Sequence, residues 1–117
     1  MKVMIKVIRN EQEALRLLGG TSLAGYINSD YMGLELALGE PVFDTESGDG
    51  KVQVEWVVQF KGNVFTIYDW KTYDRDFTLC ELNTFNIGSK ARGYEVAEFI
   101  EFLEEQIRFA FDQVDSL

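Results

Sequence analysis

The C-terminal part of the chain carries an apolar repeat that limits the possible folds more than any other feature. From about Ala91 to Asp115, apolar side chains recur at spacings of three and four residues: Val96, Ile100, Leu103, Ile107, Ala110 and Val114. This spacing places them along one face of a single long α-helix. Because such a face must be buried, we expect the helix to pack on a sheet formed by the preceding strands.

The opposite arc of the same helix is acidic. Four carboxylates recur there at helical spacing, with Arg108 as the basic residue among them: Glu98, Glu101, Glu105 and Asp112. At about 1.5 Å rise per residue, neighbours three or four positions apart are separated by about 5 to 6 Å along the axis, a scale similar to that of successive phosphates. This face is therefore a candidate DNA mimic, and the alternative is an ordinary solvated helix face.

Two phenylalanines, Phe102 and Phe109, lie one heptad apart at the edge of the apolar stripe. They widen the apolar arc beyond what a single contact with a sheet requires. Either the core is broad, or the pair forms the interface of a homodimer or higher oligomer, since exposed phenylalanines are unfavourable on a monomer.

Composition narrows the class of function. The 117 residues suit one domain, residues 1–117. A net charge of −9 with 46% hydrophobic residues predicts a folded, anionic protein that avoids nucleic acid and membrane surfaces and favours basic proteins. With no histidine and with Cys80 as the one thiol, the chain lacks the usual groups for a zinc site or for nucleophilic catalysis. We therefore expect a non-enzymatic cytoplasmic protein without metal or cofactor.

Upstream of the long helix, the sequence alternates between strand and helix signals. Asn10 is a predicted N-cap for a helix over Glu11 to Leu18, and Ser29 for one over Tyr31 to Leu38 that ends at Gly39. Predicted strands span Met1 to Ile8, Lys51 to Phe60, Val64 to Trp70 and Asn83 to Ile87, and residues 71–82 are predicted to form a loop. The expected fold is α+β, with an antiparallel sheet, helices packed on one face and a long C-terminal helix.

The predicted hairpin has a turn at Gly62-Asn63, which pairs Phe60 with Phe65. Alternation along its strands assigns one face to the core: Trp56, Val58, Phe60, Phe65 and Ile67. The opposite face carries Tyr68 and Trp70, and is richer in aromatic residues than a solvated face requires.

A cationic and aromatic cluster follows the second strand of that hairpin. Tyr68, Trp70, Lys71 and Arg75 are close together in sequence, and stacking together with positive charge suits an anionic nucleotide. Arg92 or Arg108 is a further candidate, contributed across a dimer. The alternative is a loop that its aromatic side chains anchor to the domain.

Several short segments share a pattern with a known group of proteins. They are Gly25-Tyr26-Ile27, Ser29 to Gly39-Glu40-Pro41, Lys51 with Glu55-Trp56, Thr66-Ile67-Tyr68-Asp69-Trp70-Lys71, and Asn86-Ile87-Gly88. Together they resemble a family of small bacteriophage and prophage proteins, most of which have no assigned activity. Members have Trp-His-Ile-Gly near the end, where this chain has Phe85-Asn86-Ile87-Gly88, so any role of that histidine is absent here.

The resemblance implies a phage protein that acts in the host cytoplasm. Small acidic phage proteins are often inhibitors of host defence, of the anti-CRISPR or anti-restriction type. Combined with the acidic helix face, this implies an inhibitor that mimics DNA and binds a basic, nucleic-acid-binding protein surface. A small-ligand sponge that sequesters a nucleotide signal, and a structural or assembly protein, are the alternatives.

Overall fold

The computed structural model describes residues 4–115, and in this range the chain folds around a five-stranded antiparallel sheet. The strands are β1 (Lys6–Val7), β2 (Ser22–Asn28), β3 (Glu55–Phe60), β4 (Asn63–Tyr68) and β5 (Thr84–Ser89). The helices are α1 (Glu11–Leu18), α2 (Tyr31–Leu38), α3 (Arg75–Cys80) and α4 (Tyr94–Asp115). The strand order is β1-β3-β4-β5-β2, which confirms the predicted α+β fold with its long C-terminal helix.

The main core lies between α2, α4 and one face of the sheet, called the inner face here. The predicted core side chains of β3 and β4 all lie on it, and each is at most 3% exposed: Trp56, Val58, Phe60, Phe65 and Ile67. Phe99 of α4 stacks on Phe65 with ring centroids 4.1 Å apart. The indole Nε1 of Trp56 donates a hydrogen bond of 2.8 Å to the carbonyl oxygen of Gly39, which fixes the end of α2 to the sheet.

The opposite, outer face of the sheet is only partly covered. Ala14 of α1 packs there with Val57 and Ile8 in a second, smaller cluster. The prediction that the helices pack on one face holds for α2 and α4, whereas α1 packs on the other face. The difference arises because Val57 is an apolar residue on the outer face and requires its own cover.

The hairpin between β3 and β4 differs from its prediction in register. The turn is at Lys61-Gly62, where both residues have positive φ (51° and 83°), so Phe60 pairs with Asn63. This is the backbone of a type I′ turn, which suits the twist of a hairpin. The predicted pairing of Phe60 with Phe65 was wrong by two residues. Because side chains alternate with period two, the predicted core face is nevertheless correct.

The bounds of other helices and strands also differ from their predictions. Residues 71–82 are not all loop, since α3 forms within them and Asp74 caps it by accepting a hydrogen bond from the Phe77 amide. The cap of α2 is Asp30 rather than Ser29. In the predicted first strand, Met1 to Val3 lie outside the described residues. In the described part of the chain, no helix is long and apolar enough to cross a bilayer.

The apolar stripe of α4 is buried over most of its length. Val96, Leu103 and Ile107 are at most 8% exposed, and Ile100 and Ala110 are half-buried. Val114, at 48% exposure, lies beyond the sheet. The described helix thus uses its first four turns to close the core.

Candidate functional site

The acidic face of α4, defined by Glu98, Glu101, Glu105 and Asp112, points away from the core. Glu101, Glu105 and Asp112 are exposed, whereas Glu98 is half-buried. The Nζ atom of Lys61 lies 2.8 Å from Oε2 of Glu98, an ion pair that the sequence analysis did not predict. The structure therefore leaves three of the four predicted carboxylates at the surface and partly neutralises the first.

An aromatic groove runs beside this acidic face. It is a concavity of about 330 Å³ with the following lining residues: Phe60, Lys61, Tyr94, Ala97, Glu98, Glu101, Phe102 and Glu105. The Phe102 ring packs on the Phe60 ring with centroids 4.9 Å apart. Carboxylates thus border an apolar floor, an arrangement that matches the long alkyl stem and charged head of a lysine or arginine.

The two phenylalanines of the predicted oligomer interface have different environments. Phe102 is half-buried and its ring contacts Phe60 of the same chain, so it contributes to the core. Phe109 is 60% exposed, one heptad further along α4. A broad core accounts for Phe102, whereas Phe109 extends the apolar border of the acidic face.

The outer face of the sheet carries a second concavity, called the outer-face cavity here. It measures about 470 Å³, and its lining comes from three strands and the segment after β4: Leu23, Tyr26, Tyr68, Trp70 and Asn86. The Tyr68 and Trp70 rings meet edge to face, with centroids 6.2 Å apart. Of this lining, the sequence analysis had identified Tyr68 and Trp70, while the other three residues come from strands distant in sequence.

Two lysines flank the Trp70 ring. The Nζ atoms of Lys71 and Lys51 each lie 5.7 Å from its centroid. The Lys71 amide also donates a 2.7 Å hydrogen bond to the Lys51 carbonyl, which holds the two residues side by side. Trp70 is 48% exposed, so an accessible ring lies close to two positive charges, of which Lys51 Nζ is also 3.8 Å from Oδ2 of Asp49.

The three arginines of the predicted cluster do not join Trp70. The Arg75 guanidinium binds Asp44, with Nη2 2.7 Å from Oδ1, and this hydrogen bond raises the pKa of Arg75. Arg92 donates hydrogen bonds to the Ser89 and Ala91 carbonyls and to the Ser22 hydroxyl. Arg108 is exposed on α4, which packs on the inner face. Within one chain the structure thus brings Lys71 next to Trp70 and Tyr68 and directs Arg75 to Asp44, while a contribution of Arg92 or Arg108 across a dimer stays a prediction.

Asp69 anchors the segment that carries Trp70 and Lys71. This carboxylate is 1% exposed. Its Oδ1 accepts hydrogen bonds from the Gln53 and Val54 amides at 2.8 and 3.1 Å. Its Oδ2 accepts from the Thr72 and Thr78 hydroxyls at 2.9 and 3.0 Å. Its hydrogen bonds thus go to the protein's own groups, which makes it a structural residue of the Thr66 to Lys71 segment.

Glu55 is the carboxyl group with the most perturbed ionisation. Burial raises its pKa to about 7, the Asp69 charge raises it further, and a hydrogen bond with Thr66 opposes the shift. It lies on the outer face, directly across from Tyr68 in the β3–β4 pairing. Burial also raises the pKa of the Tyr68 hydroxyl, against a hydrogen bond with Asn86 that lowers it. The outer face thus combines aromatic rings with a carboxyl group that titrates near neutral pH.

Over residues 4–115 there is no group of three or more cysteine, aspartate or glutamate side chains arranged to hold a metal ion. No protein-family model matches the chain, and comparisons with curated proteins and with solved structures find no match either.

Proposed function

We propose that this chain is a non-enzymatic, phage-type inhibitor that binds a basic, nucleic-acid-binding surface of a host defence protein in the host cytoplasm. The contact surface is the acidic face of α4 together with the aromatic groove beside it. The observation that carries the proposal is the placement of exposed carboxylates along the border of an apolar floor. The resemblance to phage proteins supplies the defence protein as the partner.

The groove would let the acidic face recognise the arginine and lysine side chains of a partner in preference to dissolved cations. A partner's arginine or lysine would lay its alkyl stem on Phe102 and direct its charged head to Glu101 or Glu105. Hydrophobic contact and charge would then act on one side chain. In this binding mode the acidic face occupies the surface that the partner uses for phosphates, so inhibition is competitive with nucleic acid.

Charge reversal is the most direct test. We would replace Glu101, Glu105 and Asp112 by lysine and leave Glu98 unchanged, because its reversal would also break the ion pair with Lys61. The matched control reverses three exposed acids elsewhere, which gives the same change in net charge: Glu40, Glu46 and Glu81.

Each protein would be used to capture partners from host lysate and to inhibit nucleic-acid binding by the captured protein. The α4 variant should lose both activities, while the control variant keeps them. Capture by the unmodified protein should also weaken at about 1 M salt, where the Debye length is about 3 Å compared with about 10 Å at 0.1 M. Full inhibition by the folded α4 variant would contradict the proposal.

The outer-face cavity favours a second candidate function, the capture of an anionic nucleotide signal. A base would stack on the exposed ring of Trp70, and Lys51 and Lys71 would bind its phosphate. Calorimetric titration with cyclic nucleotides tests this directly. Trp70→Ala should abolish binding, and Tyr94→Ala, which removes a 77% exposed ring on α4, should not. Absence of heat with every nucleotide would eliminate this candidate.

A further inference from the structure

The two edges of the sheet are built differently. One edge is β1, which is two residues long and contains Lys6. The other is β2, which has seven residues, Ser22–Asn28, with neither a charged residue nor a proline. Short length, lysine and proline are the features that normally protect an edge strand from pairing with another chain. The β1 edge has two of these features and β2 has none of them.

The outer side of β2 is available for pairing. Along residues 4–115, β2 forms its backbone ladder with β5, and no other strand pairs with it. Alternate residues therefore direct their N–H and C=O groups away from the sheet. An irregularity lies between Leu23 and Gly25, but from Gly25 to Asn28 the register with β5 is continuous. Leu23 and Tyr26 on this strand are 47% and 57% exposed.

Charge favours a second copy of this chain as the occupant of that edge. In a molecule of net charge −9, β2 is a neutral segment, so two copies meet there with little repulsion. Basic groups lie at its beginning, where Arg92 binds Ser22 and where the Lys90 side chain passes over Gly20. An acid, Asp30, follows its end. Antiparallel self-pairing brings the basic end of each copy to the acidic end of the other.

We propose that two copies of this chain pair antiparallel through β2 and form one continuous sheet across a two-fold axis. Directly opposite residues of an antiparallel pair share a face. A register with Tyr26 on the axis satisfies this rule, because it places Tyr26 against itself and Ile27 against the Gly25 of the second copy. The neighbouring strand lies about 4.8 Å away. The second copy then places its Tyr26 beside the Tyr26 that lines the outer-face cavity of the first chain.

This interface is separate from the acidic face of α4 and from the α4 flank at Phe109. The inference therefore does not depend on the proposed inhibitor function. In the proposed dimer the two outer-face cavities lie next to each other, and the other chain extends each of them at the β2 edge.

A pair of matched substitutions tests the proposal. Tyr26→Lys puts like charges opposite each other at the axis, and Phe109→Lys adds the same charge at a side chain of similar exposure on α4. Sedimentation equilibrium should show a dimer of the 13.4 kDa chain. Tyr26→Lys should raise the dimer dissociation constant about tenfold or more, because the substitution enters the interface twice. Phe109→Lys should leave that constant unchanged, and circular dichroism would check the fold of both variants.

Cross-linking tests the same interface without the Tyr26→Lys variant, which matters if that variant folds poorly. In a Cys80→Ser background, Tyr26→Cys should oxidise to a covalent dimer, because the Cα atoms of directly opposite residues in an antiparallel pair are about 4.5 to 5.5 Å apart, which is within the range of about 4.4 to 6.8 Å found in disulfides. Phe109→Cys in the same background should not. A monomer at micromolar concentrations would overturn the proposal. So would a dimer that Phe109→Lys disrupts and Tyr26→Lys does not, which would assign the interface to α4.

Discussion

Removal of the charge on Glu55 should stabilise the protein at neutral and alkaline pH. Burial raises the pKa of this carboxyl group from 4.5 to about 7 in the folded chain. One pKa unit corresponds to about 1.4 kcal/mol, so ionising the group in the folded protein costs about 3 kcal/mol more than in the unfolded chain.

The sign follows from proton binding. Below the unfolded pKa of 4.5 both states hold the proton, and Glu55 does not change the free energy of unfolding with pH. Between 4.5 and about 7 the folded chain keeps the proton while the unfolded chain releases it, so stability falls as pH rises. Above this window the full destabilisation is present. The Glu55→Gln side chain is uncharged at every pH, so this variant lacks the destabilisation.

Urea unfolding across this pH range measures the effect, with fluorescence of the buried Trp56 as the signal. The free energy of unfolding of Glu55→Gln minus that of the unmodified chain should be near zero at about pH 4 and reach roughly 3 kcal/mol at about pH 8. Glu101→Gln removes an exposed carboxylate and should change stability by no more than about 0.5 kcal/mol. A difference for Glu55→Gln that stays constant across this range would refute the reasoning, as would an equal effect in the control.

Four further outcomes follow from hydrogen bonding, packing and exposure. Asp69→Ala leaves two buried amides and two hydroxyls without their acceptor, and should lower the free energy of unfolding by roughly 3 kcal/mol or more in urea titrations. Phe99→Ala opens a cavity between α4 and the sheet and should destabilise by about 3 to 5 kcal/mol. Phe109→Ala should change stability by about 0.5 kcal/mol or less, and equal effects in these two variants would contradict the assigned packing. Cys80, which is exposed, should react with a thiol reagent in the folded protein as fast as in urea; slow labelling that urea accelerates would show that it is covered.

The sequence predicted the elements whose signals are long or local. The repeat in α4 extends over several turns, and Asn10 caps α1 as expected. The predicted hairpin turn was misplaced because Gly62-Asn63 is a typical two-residue turn sequence, whereas the chain places Lys61 at positive φ, which a lysine seldom adopts. The six-residue α3 is too short for a periodic signal, although Asp74 was an available cap signal.

The candidate sites were predicted less completely than the fold. Lys61 lies 37 residues before Glu98, the carboxylate that it pairs with. Lys51 is likewise remote in sequence from Trp70. Their positions depend on strand register, which sequence patterns did not give correctly. The sequence shows which residues are charged or aromatic. The residues that neutralise the α4 carboxylates or lie beside the Trp70 ring depend on the tertiary structure.

The Asp69 carboxylate connects three stretches of chain that otherwise share little backbone pairing: the approach to β3, the segment after β4, and α3. Local opening of the segment after β4, which carries Asp69, removes the acceptor from both of the others. The amides of Gln53 and Val54 should therefore exchange with solvent in the same opening event that releases Thr78, as a single cooperative unit. Trp70 and Lys71 lie inside that unit, so the rigidity of the outer-face cavity is set by the stability of one buried side chain.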